Sequence, residues 1–296
     1  MTLRDWLLII LIGAIWGCSF LFNAVLIREL GPIWVSALRV TVGALGCWAY
    51  FVATRRTLPR QPVVYLQFLI LGVLNYAIPF ALFPLAEKDL ASGLVGVINA
   101  MTPLMTVVVS HFWRGGEKAS LNKSLGVIVG FAGAAILASP SLRGGSANQL
   151  WAIGACLLAT LCYAFTLNYA RRLKNVDPTT IAACSLTAAA IVSAPFALIF
   201  EGLPVITRVE TWGALLGIGL LSSSFAFLLM YRMLPRVGAT NFSINTFITP
   251  ISAILLGVLV LHERFELTHI LGMVVIFAGL LLLDGRILKL ARRATA

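Results

Sequence analysis

A chain of 296 residues that is 60% apolar and 11% charged is not a soluble globular domain, in which about a quarter of residues carry charge. Its formal charge of +11 does not require nucleic acid, because basic residues collect in the cytoplasmic loops of membrane proteins. The five cysteines lie in apolar runs without disulfide-framework or zinc-site spacing, and the three histidines stand at run ends, so neither metal nor cofactor is expected.

Apolar runs near 20 residues can cross about 30 Å of hydrocarbon as helices. Ten spans are expected, at about 6–27, 33–53, 64–86, 91–112, 121–138, 150–171, 179–200, 212–233, 238–260 and 267–288. The first follows Arg4, but it outruns a secretory signal and lacks an Ala-x-Ala exit. Within it Trp16 stands about 15 Å deep by helix rise. There a ring either lines a cavity or packs helices, and the midplane position favours the cavity. Trp6, Trp34, Trp113, Trp151 and Trp212 mark span ends, as an interfacial belt does. Trp48 is near the exit of span two.

Arg39 lies about 10 Å inside span two. A buried guanidinium either holds a substrate carboxylate, snorkels outward or bonds freed carbonyls. In span three Pro79 leaves the carbonyl of Asn75 without its partner, and in span four Pro103 does so to Asn99. Pro250 in span nine frees Thr246, beside Asn245. In lipid such a carbonyl must be answered by a side chain, water or ligand. The choice is between a polar pocket and a kink bonded to neighbouring helices. Tyr76, Tyr163 (span six), Phe225 and Phe227 (span eight) lie at depths similar to Trp16; for the two phenylalanines packing is the expected role. Gly126, Gly130, Gly133 and Ala134, and Gly213 and Gly217, offer small-residue surfaces for close helix approach. Glu117 and Glu263 precede spans five and ten, where a carboxylate suits the positive end of a helix. The remaining acids (Asp5, Glu29, Glu87, Asp89, Asp177, Glu201, Glu210 and Asp284) stand near span boundaries. With none at mid-span, direct proton coupling is expected to be weak or absent.

The chain repeats itself. Asn99 and Asn245, Glu117 and Glu263, Leu121 and Leu267, Gly126 and Gly272, and Gly133 and Gly279 are all 146 residues apart. Pro103 and Pro250 differ by 147, while Pro32 and Pro178 keep 146. This is an internal duplication into repeats over 1–140 (spans 1–5) and 146–290 (spans 6–10). Five spans per repeat is odd, so the second copy enters the membrane inverted, a recurring plan of secondary transporters. Sixteen basic residues fall on the amino-terminal side against five (Arg28, Lys88, Arg143, Arg208, Arg264) on the other, which puts both termini in the cytoplasm.

Ile15-Trp16-Gly17-Cys18-Ser19-Phe20, Ala37-Leu38-Arg39 and the two Asn…Thr-Pro…Glu…Gly…Ala-Gly units resemble the drug/metabolite transporter superfamily in its EamA-domain form, over almost the whole chain. Within it the sequence is similar to YddG-type bacterial exporters of aromatic amino acids and related metabolites. The resemblance implies an arginine at the place of Arg39 across many substrates, hence a structural role. The superfamily's small multidrug exporters carry a carboxylate in their first span, which is lacking here. Translocators of phosphorylated sugars should need several intramembrane cations, and only Arg39 is present.

The expectation is therefore an all-α integral membrane protein of ten transmembrane helices in two inverted five-helix repeats. It would export neutral or zwitterionic metabolites, aromatic amino acids first, from a bacterial-type inner membrane by alternating access. Trp16, Ser19, Arg39, Asn75, Tyr76, Asn99, Tyr163, Phe227 and Asn245 would line the cavity, with Pro79, Pro103 and Pro250 as kinks or gates. Its partners would be a small-molecule substrate and the lipid bilayer, with no nucleic acid, as a monomer or weak homodimer. The rivals are a proton-coupled exporter of hydrophobic or cationic drugs, a non-transporting sensor, and an intramembrane enzyme. For an enzyme the nearest constellation is Ser110-His111, adjacent on a helix and so facing different ways; none is expected.

Overall fold

The computed structural model describes residues 2–142 and 147–285. Arg143, Arg286, Lys289, Arg292 and Arg293, counted above for orientation, lie outside them. Among the described residues there is no strand, and nine helices are long and apolar enough to cross a membrane. A further apolar helix, Asn245–Leu261, is 17 residues long.

Helix α1 (Leu3–Leu26) starts at a capping box, in which Thr2 accepts from the Asp5 amide and Asp5 from the Thr2 amide. Helix α2 (Pro32–Ala53) opens on a proline, which has no N–H to leave unsatisfied at a first turn. Span three is α3 (Pro62–Leu71) and α4 (Ile78–Ala86), joined by a π-helical turn over Gly72–Ala77. Pro79 cannot bond the carbonyl of Asn75, and the helix widens so that the Ile78 amide reaches Val73 instead. Span four is broken into α5 (Ser92–Asn99) and α6 (Thr102–Phe112). Next come α7 (Leu121–Leu142), α8 (Ala147–Tyr169) and α9 (Pro178–Glu201).

Span eight is α10 (Val209–Leu216) and α11 (Ala226–Val237) around a second π-helical stretch, Gly217–Phe225. No proline causes this one. The Ser223 and Ser224 hydroxyls donate to the carbonyls of Ile218 and Gly219, five residues back. An offset of 146 carries residues 72–77 onto 218–223, inside this stretch. Span nine does not run unbroken from 238 as expected: α12 (Ala239–Phe242) is separated from α13 (Asn245–Leu261). Helix α14 (Leu267–Asp284) stops before 288, at Gly285 in the left-handed region with φ 68°.

Successive spans run in opposite directions, so α1, α4, α9 and α13 end at one face, here the far face, opposite the amino terminus. There carboxylates at or beyond the helix ends cap other helices. Glu201 accepts from the Ile33 and Trp34 amides of α2 at 3.0 and 2.9 Å. Glu29 accepts from Thr207 and Arg208 ahead of α10. Glu263 accepts from Ser92 and Gly93 of α5 at 2.6 and 3.1 Å. Glu263 is thus a cap, but of α5 rather than of the helix that follows it, whose own cap is Glu266. Glu117 is not a cap at the start of α7; it pairs with Lys123.

Helix α7 packs along α14, α2 along α9, α1 along α13 and α4 along α8. The first π turn rests on α9 and the second on α2. The α7–α14 contact is made by glycines. A Cβ on Gly126 would lie 2.7 Å from the Gly279 carbonyl, and one on Gly133 would lie 2.9 Å from the Gly272 carbonyl. Gly217 packs against Phe22, whereas Gly213 faces open space. Leu45, Ile128, Ile191, Phe200 and Val274 point outward, an apolar surface suited to lipid rather than water.

Candidate functional site

The two π-helical turns set the site, since each rotates its polar residues inward against the opposite half of the chain. From the second, the Ser222 carbonyl accepts from Trp16 Nε1 at 3.2 Å, and the Ser222 hydroxyl donates to the Ile15 carbonyl at 3.1 Å. The Ser223 hydroxyl accepts from Arg39 Nε at 3.0 Å. Arg39 is 5% exposed, and its guanidinium carbon lies 3.5 Å from the centre of the Phe80 ring. It is withdrawn from water and makes no ion pair among the described residues. Cation–π contact and the serine hydroxyl hold it in place.

Aromatic rings extend from there. Trp16 meets Phe227 at 5.6 Å between ring centres and Phe242 at 6.2 Å; Tyr76 meets Phe227 at 5.8 Å and Phe80 at 5.6 Å. Tyr163 is 6.0 Å from Phe83, which is 5.9 Å from Phe20. Tyr163 also packs on the cluster containing Tyr76 and Phe80. The phenylalanines of span eight divide: Phe225 faces outward, while Phe227 stands between Trp16 and Tyr76.

The amides have different fates. Asn75 Oδ1 accepts from the Thr166 hydroxyl of α8 at 2.8 Å. The Asn99 carbonyl accepts from the Thr102 hydroxyl at 2.7 Å, so the break at Pro103 is satisfied within its own chain segment. Asn99 Oδ1 and Ser19 Oγ are buried without a hydrogen-bond partner. Asn245 donates to the Ile9 carbonyl at 3.2 Å and accepts from Thr249 at 3.0 Å, which ties α13 to α1. The structure thus gathers Trp16, Arg39, Tyr76, Tyr163 and Phe227 into one aromatic group, links Asn75 to α8, and spends Asn245 on a helix contact. Pro250 lies inside an unbroken α13.

Two clefts open at the faces. One of about 330 Å³ is lined by Val25, Arg28, Arg208, Glu210 and Thr211; the other, about 120 Å³, by Thr106, Val107, Ser110, Glu117, Lys123 and Arg171. Neither includes the aromatic group. Among the described residues no three His, Cys, Asp or Glu side chains converge as metal ligands. Ser110 donates to Asn168, while His111 accepts from the Ala119 amide, so the two are engaged separately.

Sequence reasoning passed over four participants. Ser222 and Ser223 were signalled by a Ser-Ser-Ser run inside an apolar span, and Phe80 and Thr166 by nothing local. Glu87 stands at the expected boundary but is buried there. It follows α4 immediately and is 9% exposed. The turn after α4 folds back, with the Leu90 amide on the Ala86 carbonyl, and the last turn of α1 meets the carboxyl through Asn23. Asp5 is also buried, but it pairs with Arg236 at 2.7 Å. An acid withdrawn from water is therefore present, and the premise for weak proton coupling fails.

The model of the EamA-like transporter family matches the chain twice, over residues 5–139 and 150–283. The chain is 26% identical to the uncharacterized transporter YoaV of Bacillus subtilis, over 92% of this chain and 94% of that one. It is 24% identical to a WAT1-related chloroplastic protein of Arabidopsis thaliana, over 96% of this chain and 70% of that one. It is also 22% identical to the protein PecM of Dickeya dadantii, over 91% and 89%. A solved crystal structure covering 100% of both chains superposes with a TM-score of 0.68 at 20% identity, a likeness of fold.

Proposed function

The chain belongs to the EamA-like transporter family, and from that premise we propose that it exports neutral or zwitterionic small metabolites, aromatic amino acids first, by alternating access between two inverted five-helix repeats. The observation that carries the substrate class is the ring group of buried Tyr76 with half-buried Trp16 and Phe227, drawn from both halves of the chain. Such a lining suits an apolar side chain, and the unpartnered Asn99 Oδ1 and Ser19 Oγ suit a polar head. The reading makes it an exporter of the YddG type. The basic residues favour an inner-membrane chain with cytoplasmic termini, acting as a monomer or loose dimer.

Helix pairing supports the inverted repeat. Exchanging spans 1–5 with 6–10 returns the α2–α9 and α7–α14 contacts to themselves, and turns α1–α13 into the contact of α8 with the α5–α6 span. The glycine contacts obey the same exchange, since adding 146 to Gly126 and Gly133 gives Gly272 and Gly279. A contact that maps onto itself is what a two-fold axis requires.

The test is counterflow in proteoliposomes without an ion gradient. Labelled phenylalanine should enter only vesicles preloaded with an unlabelled aromatic amino acid, and Trp16→Ala should reduce that entry at least several-fold. Entry that ignores the internal amino acid, or a Trp16→Ala protein that transports normally, would refute the site. The buried Glu87 favours a second reading, a proton-driven exporter of hydrophobic or cationic drugs. It predicts no phenylalanine counterflow, but methyl viologen movement under a pH gradient.

A further inference from the structure

Among the described residues, Glu29, Glu87 and Glu263 follow, and Glu201 closes, helices that end at the far face. Glu29, Glu201 and Glu263 accept from backbone amides in or just before the first turns of other helices, as given above. Glu87 is the exception. It is the C-cap of α4, at the negative end of a helix, where a carboxylate is disfavoured. Its one polar contact is a long one, 3.4 Å from Asn23 Nδ2 to Oε1. Glu87 Oε2 and Asn23 Oδ1 are both buried without a partner, and Asn23 is 1% exposed. An ionised carboxylate left in that state is costly, and the group relieves the cost by binding a proton.

From this geometry we infer that Glu87, with Asn23 beside it, is a proton-binding site through which transport is coupled to protons. This rests on the transport reading above. The amide serves both charge states. When Glu87 is ionised, Asn23 Nδ2 donates to it. When Glu87 is protonated, the carboxyl O–H donates to Asn23 Oδ1 after the amide turns over. The proton comes from water at an open face and returns to water when the carboxyl is next exposed, with no other bond made or broken. Closing the far face over the pair requires the neutral form, so closure and proton uptake are the same step.

The charged and titratable groups that act on the site are few. They are Arg39 from α2, Glu263 from beyond α13, and Cys156 from α8; α1 presents the uncharged Asn23, and the chain neighbours Lys88 and Asp89 are exposed. Burial holds the Glu87 carboxyl well above the usual carboxylate range, with Asn23 opposing, Glu263 adding and Arg39 opposing.

The experiment compares wild type, Glu87→Gln and Glu87→Asp in proteoliposomes with labelled phenylalanine. Counterflow is measured without a gradient, and accumulation under pH gradients of both senses. Wild type should show counterflow and also accumulate label under one sense of gradient. Glu87→Gln should keep counterflow and lose at least tenfold of that accumulation. If Glu87→Gln loses counterflow too, Glu87→Asp decides: it should accumulate with a displaced pH profile. Wild-type counterflow with no response to either gradient, or accumulation by Glu87→Gln equal to wild type, overturns the site. Absence of phenylalanine counterflow in the wild type removes the amino-acid reading instead. A cargo-free readout then remains: infrared difference spectra of wild type against Glu87→Gln in detergent. A protonated carboxyl band at neutral pH, missing in the variant, supports the proton site, and its absence in wild type overturns it.

Discussion

Replacing Gly279 with alanine tests the contact on which the pairing of the two halves depends. A Cβ at Gly279 would lie 2.6 Å from Gly130 N, 2.7 Å from Gly126 O and 2.8 Å from Gly130 Cα, all backbone atoms of α7. Ordinary contact begins near 3.4 Å, so the helices must part by about 0.8 Å. No flexible side chain can yield in their place. Overpacking of this kind costs about 1–3 kcal/mol. Against it stands the gain from replacing glycine in a helix, about 0.8–1 kcal/mol. Gly154, in α8 with nothing within 4 Å of an added Cβ, isolates the second effect. Gly154→Ala should stabilise by roughly that amount, so the difference between the variants is the overpacking cost alone, about 1–3 kcal/mol. The assay is reversible unfolding of both proteins in one detergent. Equal shifts of the same sign would show that α7 and α14 do not meet through these glycines. Gly133→Ala, whose Cβ would meet the Ile276 amide at 2.6 Å, should behave as Gly279→Ala does.

Glu201→Gln should cost about 1–3 kcal/mol, because the α2 cap loses its charge and one of two charge-assisted bonds; faster amide exchange at Ile33 and Trp34 would locate the effect. The Glu29 carboxyl is lowered to about 2 by the Thr207 and Thr211 hydroxyls, despite an opposing effect of burial, with the Thr207 and Arg208 amides adding. A depressed carboxylate stabilises above its unfolded value, about 4.3, and that stability is lost as pH falls from there toward 2. Glu29→Gln should therefore flatten the acid limb of the thermal midpoint over that window, and an unchanged limb would exclude Glu29 as its source. Arg39→Lys keeps the charge but loses the flat guanidinium over Phe80 and the Nε bond to Ser223. It should lower the unfolding midpoint and reduce maximal flux; a raised KM with unchanged stability would instead place Arg39 on the substrate.

The sequence made the membrane class and the family legible because both are written in local signals: apolar length, and residue identities at a constant offset. It also marked Trp16 by depth, but depth did not separate Phe227 from the outward-facing Phe225. What it left unread depends on rotation about helix axes. The π turns move Asn75, Tyr76 and Ser222–Ser224 to faces that an ideal 3.6-residue period does not give them. Depth along the chain likewise did not reveal that Glu87 is buried. Its ordinal position is a boundary, yet a folded-back turn and the last turn of a distant helix enclose it. Glu263 shows the same limit in reverse, since capping was foreseen and the capped helix was not.

The duplicated asparagines differ in a way that bears on the transport cycle. After Asn99 the helix breaks, and the Thr102 hydroxyl takes up the Asn99 carbonyl. The matching asparagine, Asn245, begins a helix, and the break falls before it; there the Thr246 hydroxyl takes up the Ser243 carbonyl. One device, a threonine bonding three residues back, closes both breaks on opposite sides of equivalent residues. Asn99 Oδ1 is left unpartnered, whereas Asn245 is held by Ile9 and Thr249. Two copies of one sequence thus hold two local conformations, each break closed by one threonine hydroxyl. On the inverted-repeat reading, the opposite-facing state is reached when each copy adopts the other's arrangement. Asn99 would then gain the interhelical contact that Asn245 loses, so that neither state leaves more backbone groups unpaired than the other.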